Sequence, residues 1–243
     1  SLQRYVFPEL EKINKNIEFN NKTLGFLAKK HHFEPLNSKE RNEFDKIIKN
    51  GKDHLISHEA LVNGDPVLLE EAADLNLELF GKEANIIIIV RDSMSYFTSV
   101  YQQRVHEGNV ISASDFFVCS DVYDKTKLFY YQKFKARVFN AEEFSLKKIY
   151  DFYNERFNSV FFVPLSKVND LLFIKNIYNL TDDEMEVLKS NFINAPSANK
   201  AYSLLAMKLT FKRERFLSLF GLKSQGSWDV SPLKKSPLKN LVV

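Results

Sequence analysis

Ile86-Ile-Ile-Ile-Val90 runs straight into Arg91-Asp-Ser93: five β-branched residues, then a cation, an acid and a hydroxyl, with no turn residue between. A run apolar on both faces fits an interior strand of a parallel sheet. Working outward, Ser159-Val-Phe-Phe-Val163, closed by Pro164, reads as a second strand, and His54-Leu-Ile-Ser57 as a weaker third. Helical patterns separate them. Residues 38–50 carry Phe44, Ile47 and Ile48, stop at Gly51, and open on an approximate capping box at Ser38. Asp65-Pro66 is a capped start for a helix through Leu68, Leu69, Ala72, Leu75 and Leu79 to Gly81. Met94, Phe97, Tyr101 and Val105 space out a long helix ending at Gly108, and further helical stretches cover 129–138, 146–156, 182–192 and 198–220. Strands alternating with helices predict an α/β fold, a parallel sheet flanked by helices. Ligands of such sheets bind outside the carboxyl ends of the strands, so the residues just after Ser57, Val90 and Val163 carry the information about function.

Composition narrows the class. The 243 residues are 44% hydrophobic and 27% charged, which excludes a collagen, a low-complexity chain and a disulfide scaffold. Lys+Arg of 34 against Asp+Glu of 31 gives a net charge of +3, too mild to predict nucleic-acid binding but tolerant of an anionic ligand. The one cysteine, Cys119, allows neither an intrachain disulfide nor a cysteine metal cluster, and predicts a cytoplasmic protein. His31-His32 and His106 have no partner at metal-ligand spacing, so no metal is expected. No apolar run approaches the roughly 20 residues of a membrane helix. Seven Gly and seven Pro beside 22 Phe and 10 Tyr predict an aromatic-rich core with few tight turns. There is no internal repeat. A Gly-x-Gly-x-x-Gly fingerprint and a Gly-x-Ser-x-Gly elbow are both missing, so neither a dinucleotide oxidoreductase nor an α/β-hydrolase is supported. The chain divides into an α/β domain over 1–221 and a Ser/Pro/Lys-rich extension over 222–243.

An arginine at the carboxyl end of an interior strand is expensive unless it meets an anion, and its planar fork suits phosphate or carboxylate. The same residues also fit a surface pair of Arg91 with Asp92 and an ordinary helix serine. Arg91-Asp-Ser-Met-Ser-Tyr-Phe-Thr-Ser99-Val-Tyr101 resembles the 3′-phosphate-binding motif of the sulfotransferases: an Arg ending an apolar strand, a Ser eight positions on, and, in the carbohydrate-acting branch, a Tyr two beyond the Ser. The resemblance implies a P-loop-like sulfotransferase fold in which Arg91 and Ser99 bind the 3′-phosphate of 3′-phosphoadenosine 5′-phosphosulfate. One departure is Ser93, where the family usually has Pro; Pro favours a helix start but is not required there. Ser1-Leu-Gln3 resembles the family's residues just after its 5′-phosphosulfate loop, of Lys-Thr-Gly-Thr-Thr type, whose backbone N–H groups cradle phosphate. That places Ser1 beside the 5′ end of the donor. It also implies that the Lys loop and an apolar strand lie ahead of Ser1, and that the donor site is complete only with them.

Ser57-His58-Glu59-Ala-Leu61 stands at the second strand end. Sulfuryl transfer to a hydroxyl needs a general base, and His or Glu can serve. The pattern resembles the bacterial carbohydrate-type branch, which implies Glu59 as base and His58 as the alternative or a hydrogen-bonding neighbour. An acid at a helix start beside a surface His also fits these residues. Tyr130, Tyr131 and Lys133, and Ser197-Ala-Asn-Lys-Ala-Tyr-Ser203, resemble further family stretches near acceptor and nucleotide, whereas Lys212-Arg-Glu-Arg215 reads as a solvated helix face. The expected function is transfer of a sulfuryl group from the nucleotide donor to a saccharide or glycolipid hydroxyl. The alternatives are another nucleotide- or phosphate-binding transferase, kinase-like or glycosyltransferase, and a non-catalytic binding module on the same scaffold.

Overall fold

The structure, a computed structural model, describes residues 2–19, 22–58, 61–62, 66–106, 111–125 and 138–193, with positions 208, 209, 211, 212, 216 and 219. In chain order, α1 (Leu2–Tyr5) and α2 (Phe7–Ile13) lead into β1 (Ile17–Phe19), and α3 (Lys22–Phe33) and α4 (Ser38–Ile48) into β2 (Asp53–Leu55). A 3₁₀ turn (Pro66–Leu68) and α5 (Leu69–Phe80) lead into β3 (Asn85–Val90). There follow α6 (Ser93–His106), α7 (Ala113–Phe116), β4 (Phe117–Val118), α8 (Ser120–Lys125) and β5 (Phe139–Asn140). The last described elements are α9 (Leu146–Arg156), β6 (Ser159–Pro164), a 3₁₀ helix (Leu165–Asp170), α10 (Leu172–Tyr178) and α11 (Asp182–Ile193). These elements form two compact units. One takes the described residues up to Val90 and 143–193; the other takes 91–125, 138–142 and the described positions beyond 199.

In the first unit, β1 pairs in parallel with β2, Ile17 opposite Asp53 and Phe19 opposite Leu55. β3 pairs in parallel with β6, from Asn85 opposite Ser159 to Val90 opposite Pro164. Mixed α/β structure with parallel pairing is therefore present, as two-stranded pairs among the described residues. Successive side chains of a strand point to opposite faces. Ile87 and Phe161 pack into a core with Leu2, Val6, Leu10 and Leu188, which Ile17, Phe19 and Leu55 of the other pair share. Ile86, Ile88, Val90, Val160 and Phe162 pack the opposite way, against Leu69, Ala73, Ile149, Tyr153 and Phe157 of α5, α9 and the residue after it. Helices on both faces explain why the strand has no polar face. It is not a fully interior strand, however: Ile89 is 42% exposed, and only β6 pairs with β3 among the described residues. A third core joins α3, α4 and α5 through Leu24, Leu27, Phe44 and Leu79. Outside the cores, Arg156 of α9 reaches Asp74 at 2.6 Å and Glu70 at 3.1 Å on α5. Glycine is required at Gly81, whose φ of 77° ends α5.

The cap of α4 lies one residue earlier than Ser38. Asn37 Oδ1 accepts the Glu40 N–H at 3.0 Å, and Glu40 Oε2 accepts the Asn37 N–H at 2.9 Å. A capping box needs an acid or amide three residues after the cap. Asn37 has Glu40 there, whereas Ser38 would have Arg41, which can only donate. Asn37→Ala is expected to cost about 1 kcal/mol, a drop of a few degrees in the thermal midpoint followed by circular dichroism. An unchanged midpoint would show that the box contributes nothing.

The second unit is built on aromatic packing. Tyr96, Phe97 and Tyr101 of α6 meet Phe116, Phe117 and Phe139, with ring centroids between 4.9 Å (Phe116–Phe117) and 6.2 Å (Tyr96–Phe139). β4 and β5 pair in parallel, Phe117 opposite Phe139. Two-residue strands thus stand where the sequence suggests only helices. The helix expected at 129–138 and the extension from 222 lie outside the described residues, apart from Val138.

Candidate functional site

Of the residues the sequence singles out, Ser57 and His58 follow β2 in the first unit, and Arg91 and Ser99 belong to the second. At the end of β2, the chain passes through Ser57 and half-buried His58. Gln3 of α1 donates from Nε2 to the Ser57 hydroxyl at 2.7 Å and to its carbonyl at 3.2 Å. The Leu61 N–H donates to the His58 carbonyl at 3.2 Å, closing a turn. Beside it lies a groove of about 580 Å³, lined by Leu2, Phe7, Leu55, Ile87 and Ile89, with Gln3, Ser57 and Asn169 as its polar side chains. Glu59 and Ser1, the expected base and a 5′-end residue, lie outside the described residues, as do Tyr130, Tyr131, Lys133 and 197–203.

Arg91, Ser99 and Tyr101 belong to the second unit. Arg91 follows β3 directly and is exposed, with no hydrogen-bond or ion-pair partner among the described residues. The expectation that burial forces this side chain onto an anion is therefore corrected: water already solvates it. The alternative, a surface pair with Asp92, is not formed either. Asp92 instead caps α6, its Oδ1 accepting the Ser95 N–H at 2.9 Å. Hydrogen bonds from the Ser95 side chain and backbone hold the Asp92 carboxyl below its usual range. Ser95 and Ser99 are four residues apart and share a face of α6, and Ser99 lies about 9 Å along the axis from Ser93. Ser99 is half-buried and Arg91 exposed. The Tyr101 hydroxyl donates to the Ile111 carbonyl at 2.8 Å, and burial raises its pKa. It is a packing residue of the aromatic cluster.

Sequence reasoning passed over a buried polar group on α5. Asn76, 4% exposed, is the one polar residue among the five buried there. Its Nδ2 donates to the Leu61 carbonyl at 2.8 Å and to the Tyr153 hydroxyl at 3.1 Å, and its Oδ1 lies 3.0 Å from His32 Nε2. The signal was available: a polar residue breaking the apolar face that runs through Leu69, Ala72, Ala73 and Leu79. His32, which the sequence leaves without a partner at metal-ligand spacing, is engaged here with Asn76. Among the described residues no group of three His, Cys, Asp or Glu side chains is arranged for a metal, and no helix is long and apolar enough to cross a membrane.

Burial pushes the Tyr153 phenol up to about 12, against smaller opposing effects of Asn76 and Arg156. Burial, helped by Asp53, takes Tyr178 to about 12 as well. A folded-state pKa above the unfolded one contributes stability that is complete below the unfolded value and disappears as pH rises through the folded value. Stability is therefore expected to fall between about pH 10 and 12, by roughly 2–3 kcal/mol for Tyr153. Tyr153→Phe should flatten that decline in urea titrations; an equally steep decline would show that its phenol is solvated.

Compared with known proteins, the chain matches no family model, no curated protein and no solved structure.

Proposed function

We propose that the chain is a sulfotransferase that moves a sulfuryl group from 3′-phosphoadenosine 5′-phosphosulfate to a saccharide-type hydroxyl, on a P-loop-like α/β scaffold. The observation that carries the reading is Arg91: a guanidinium at the carboxyl end of a parallel strand, exposed and uncommitted among the described residues, with a helix carrying Ser99 beginning two residues later. That is the local arrangement the motif resemblance calls for. Arg91 would grip the 3′-phosphate by a charge-assisted fork and Ser99 would add a hydroxyl bond. Glu59, or else His58, would take the acceptor's proton as its oxygen bonds to sulfur. The bond from sulfur to the 5′-phosphate oxygen would break in line, leaving adenosine 3′,5′-bisphosphate. Positioning and electrostatic stabilisation would supply most of the acceleration, by analogy with phosphoryl transfer.

The groove beside Ser57 supports the same reading. Its apolar walls, from Leu2, Leu55, Ile87 and Ile89, and its polar Gln3 and Ser57 lie beside the turn that would bear the base.

Adenosine 3′,5′-bisphosphate tests the proposal directly. It should raise the melting temperature of the chain and bind in calorimetry, whereas adenosine 5′-monophosphate and inorganic phosphate should bind far more weakly. Equal responses to all three would replace this reading with that of a different phosphate-handling transferase. Glu59→Gln should lower turnover at least tenfold and leave bisphosphate affinity within twofold; unchanged turnover assigns the proton transfer to His58.

A further inference from the structure

We infer that Asn76 is a positioning residue for the turn that carries His58, acting with Tyr153 and His32. The inference deepens the proposed function and rests on the reading that this turn bears the general base. The directions of the hydrogen bonds follow from one group. The Leu61 carbonyl can only accept, so the Asn76 amide must present Nδ2 to it. Oδ1 then faces His32 and needs a donor, which places the His32 proton on Nε2. The Tyr153 hydroxyl accepts from the same Nδ2 and lies 3.5 Å from the Leu61 carbonyl. Side chains from α5 and α9 thus converge on one loop carbonyl, and His32 of α3 holds the Asn76 amide from its other end. Asn76, Tyr153 and His32 are 4%, 1% and 7% exposed.

The grip has a counterpart on the other side of His58. Gln3 holds Ser57, the residue before it, through two hydrogen bonds, and the turn is closed by the bond from the Leu61 N–H to the His58 carbonyl. The backbone is therefore tied both before and after the candidate base. Core stability alone does not call for such a group. Polar partners in an apolar interior often give no net gain over well-packed apolar residues, whereas a satisfied network imposes a single geometry. A base that must meet an acceptor proton needs that single geometry.

Asn76→Leu keeps the side-chain volume and removes the donor; His32→Gln keeps a donor toward Asn76. Amide exchange by mass spectrometry, with peptides covering 57–62 and 85–90, reads the turn against the strand. In Asn76→Leu, exchange over 57–62 should rise at least tenfold relative to 85–90, while His32→Gln should stay near the parent. Sulfuryl transfer assayed alongside should show kcat falling at least tenfold, with acceptor KM and bisphosphate affinity within twofold. If the turn exchanges no faster than the strand, or turnover is unchanged while exchange rises, the positioning role is overturned. Should the turn loosen as expected while the full-length protein neither binds bisphosphate nor transfers sulfate, the tether stands and the sulfotransferase reading falls.

Discussion

Arg91→Ala is expected to bind adenosine 3′,5′-bisphosphate at least a hundredfold more weakly than the parent, with little change in melting temperature. A charge-assisted hydrogen bond contributes about 1.5–3 kcal/mol, and about 1.4 kcal/mol is tenfold in affinity. Two such bonds from one guanidinium fork therefore account for a hundredfold loss. Stability should hold because Arg91 is exposed and has no hydrogen-bond or ion-pair partner among the described residues; surface substitutions of that kind usually stay within about 0.5 kcal/mol. Arg91→Lys keeps the charge but not the fork, so its affinity should fall between the two. Asp92→Asn supplies a sharper control. Asn also caps helices, so α6 should persist, while the removal of a carboxylate held ionised beside the phosphate should tighten binding several-fold. That gain should fade as salt rises, because the charge is exposed and screened. Bisphosphate binding by Arg91→Ala equal to the parent's would remove the site assignment and the donor with it.

Tyr153→Ala is expected to destabilise the first unit by about 3–5 kcal/mol, on the order of 10 °C in the melting temperature. Tyr153 is 1% exposed, stacks on Phe157 with centroids 5.9 Å apart, and belongs to the core between α5, α9 and the β3–β6 pair. Its loss leaves a cavity beneath the strands and frees half of the grip on Leu61. Tyr153→Phe separates the two contributions. It keeps the ring and should cost only about 1–2 kcal/mol, for the hydroxyl that accepts from Asn76. Calorimetry on both variants decides the matter: a loss under 1 kcal/mol in Tyr153→Ala would mean that α9 does not close this core.

Local pattern carried much of the architecture. Leu146–Arg156 is a helix over the residues that its apolar spacing marks, and the Asp182–Ile193 helix extends one residue beyond its expected end. The isoleucine run is a strand paired in parallel with Ser159–Pro164, as helices between strands require. The misses share a cause. β1 has three residues and β4 and β5 two each, too short for a period of two to show. Such strands form because a partner is presented to them, and the partner is remote in the chain. The cap at Asn37 was misplaced by one residue because Ser38 is an equally good cap by type; only the reciprocal bond to Glu40 distinguishes them.

The candidate site divides along the same line. Residue type and position relative to a strand end were enough to single out Arg91 and the Ser57-His58 turn, because strand ends are set by local apolar runs; Ser99 was marked by the motif resemblance. The surroundings of those residues were not legible. Arg91 is solvated because β3 ends at the surface, and Asp92 turns away from it to cap α6. Asn76 reaches a carbonyl 15 residues back and a hydroxyl 77 residues ahead. The amino-acid sequence by itself determined which segments are apolar enough to be buried and which chemistry follows them. The tertiary structure alone decided which polar groups meet, since hydrogen bonds between distant residues depend on angstrom-scale packing that periodicity does not encode.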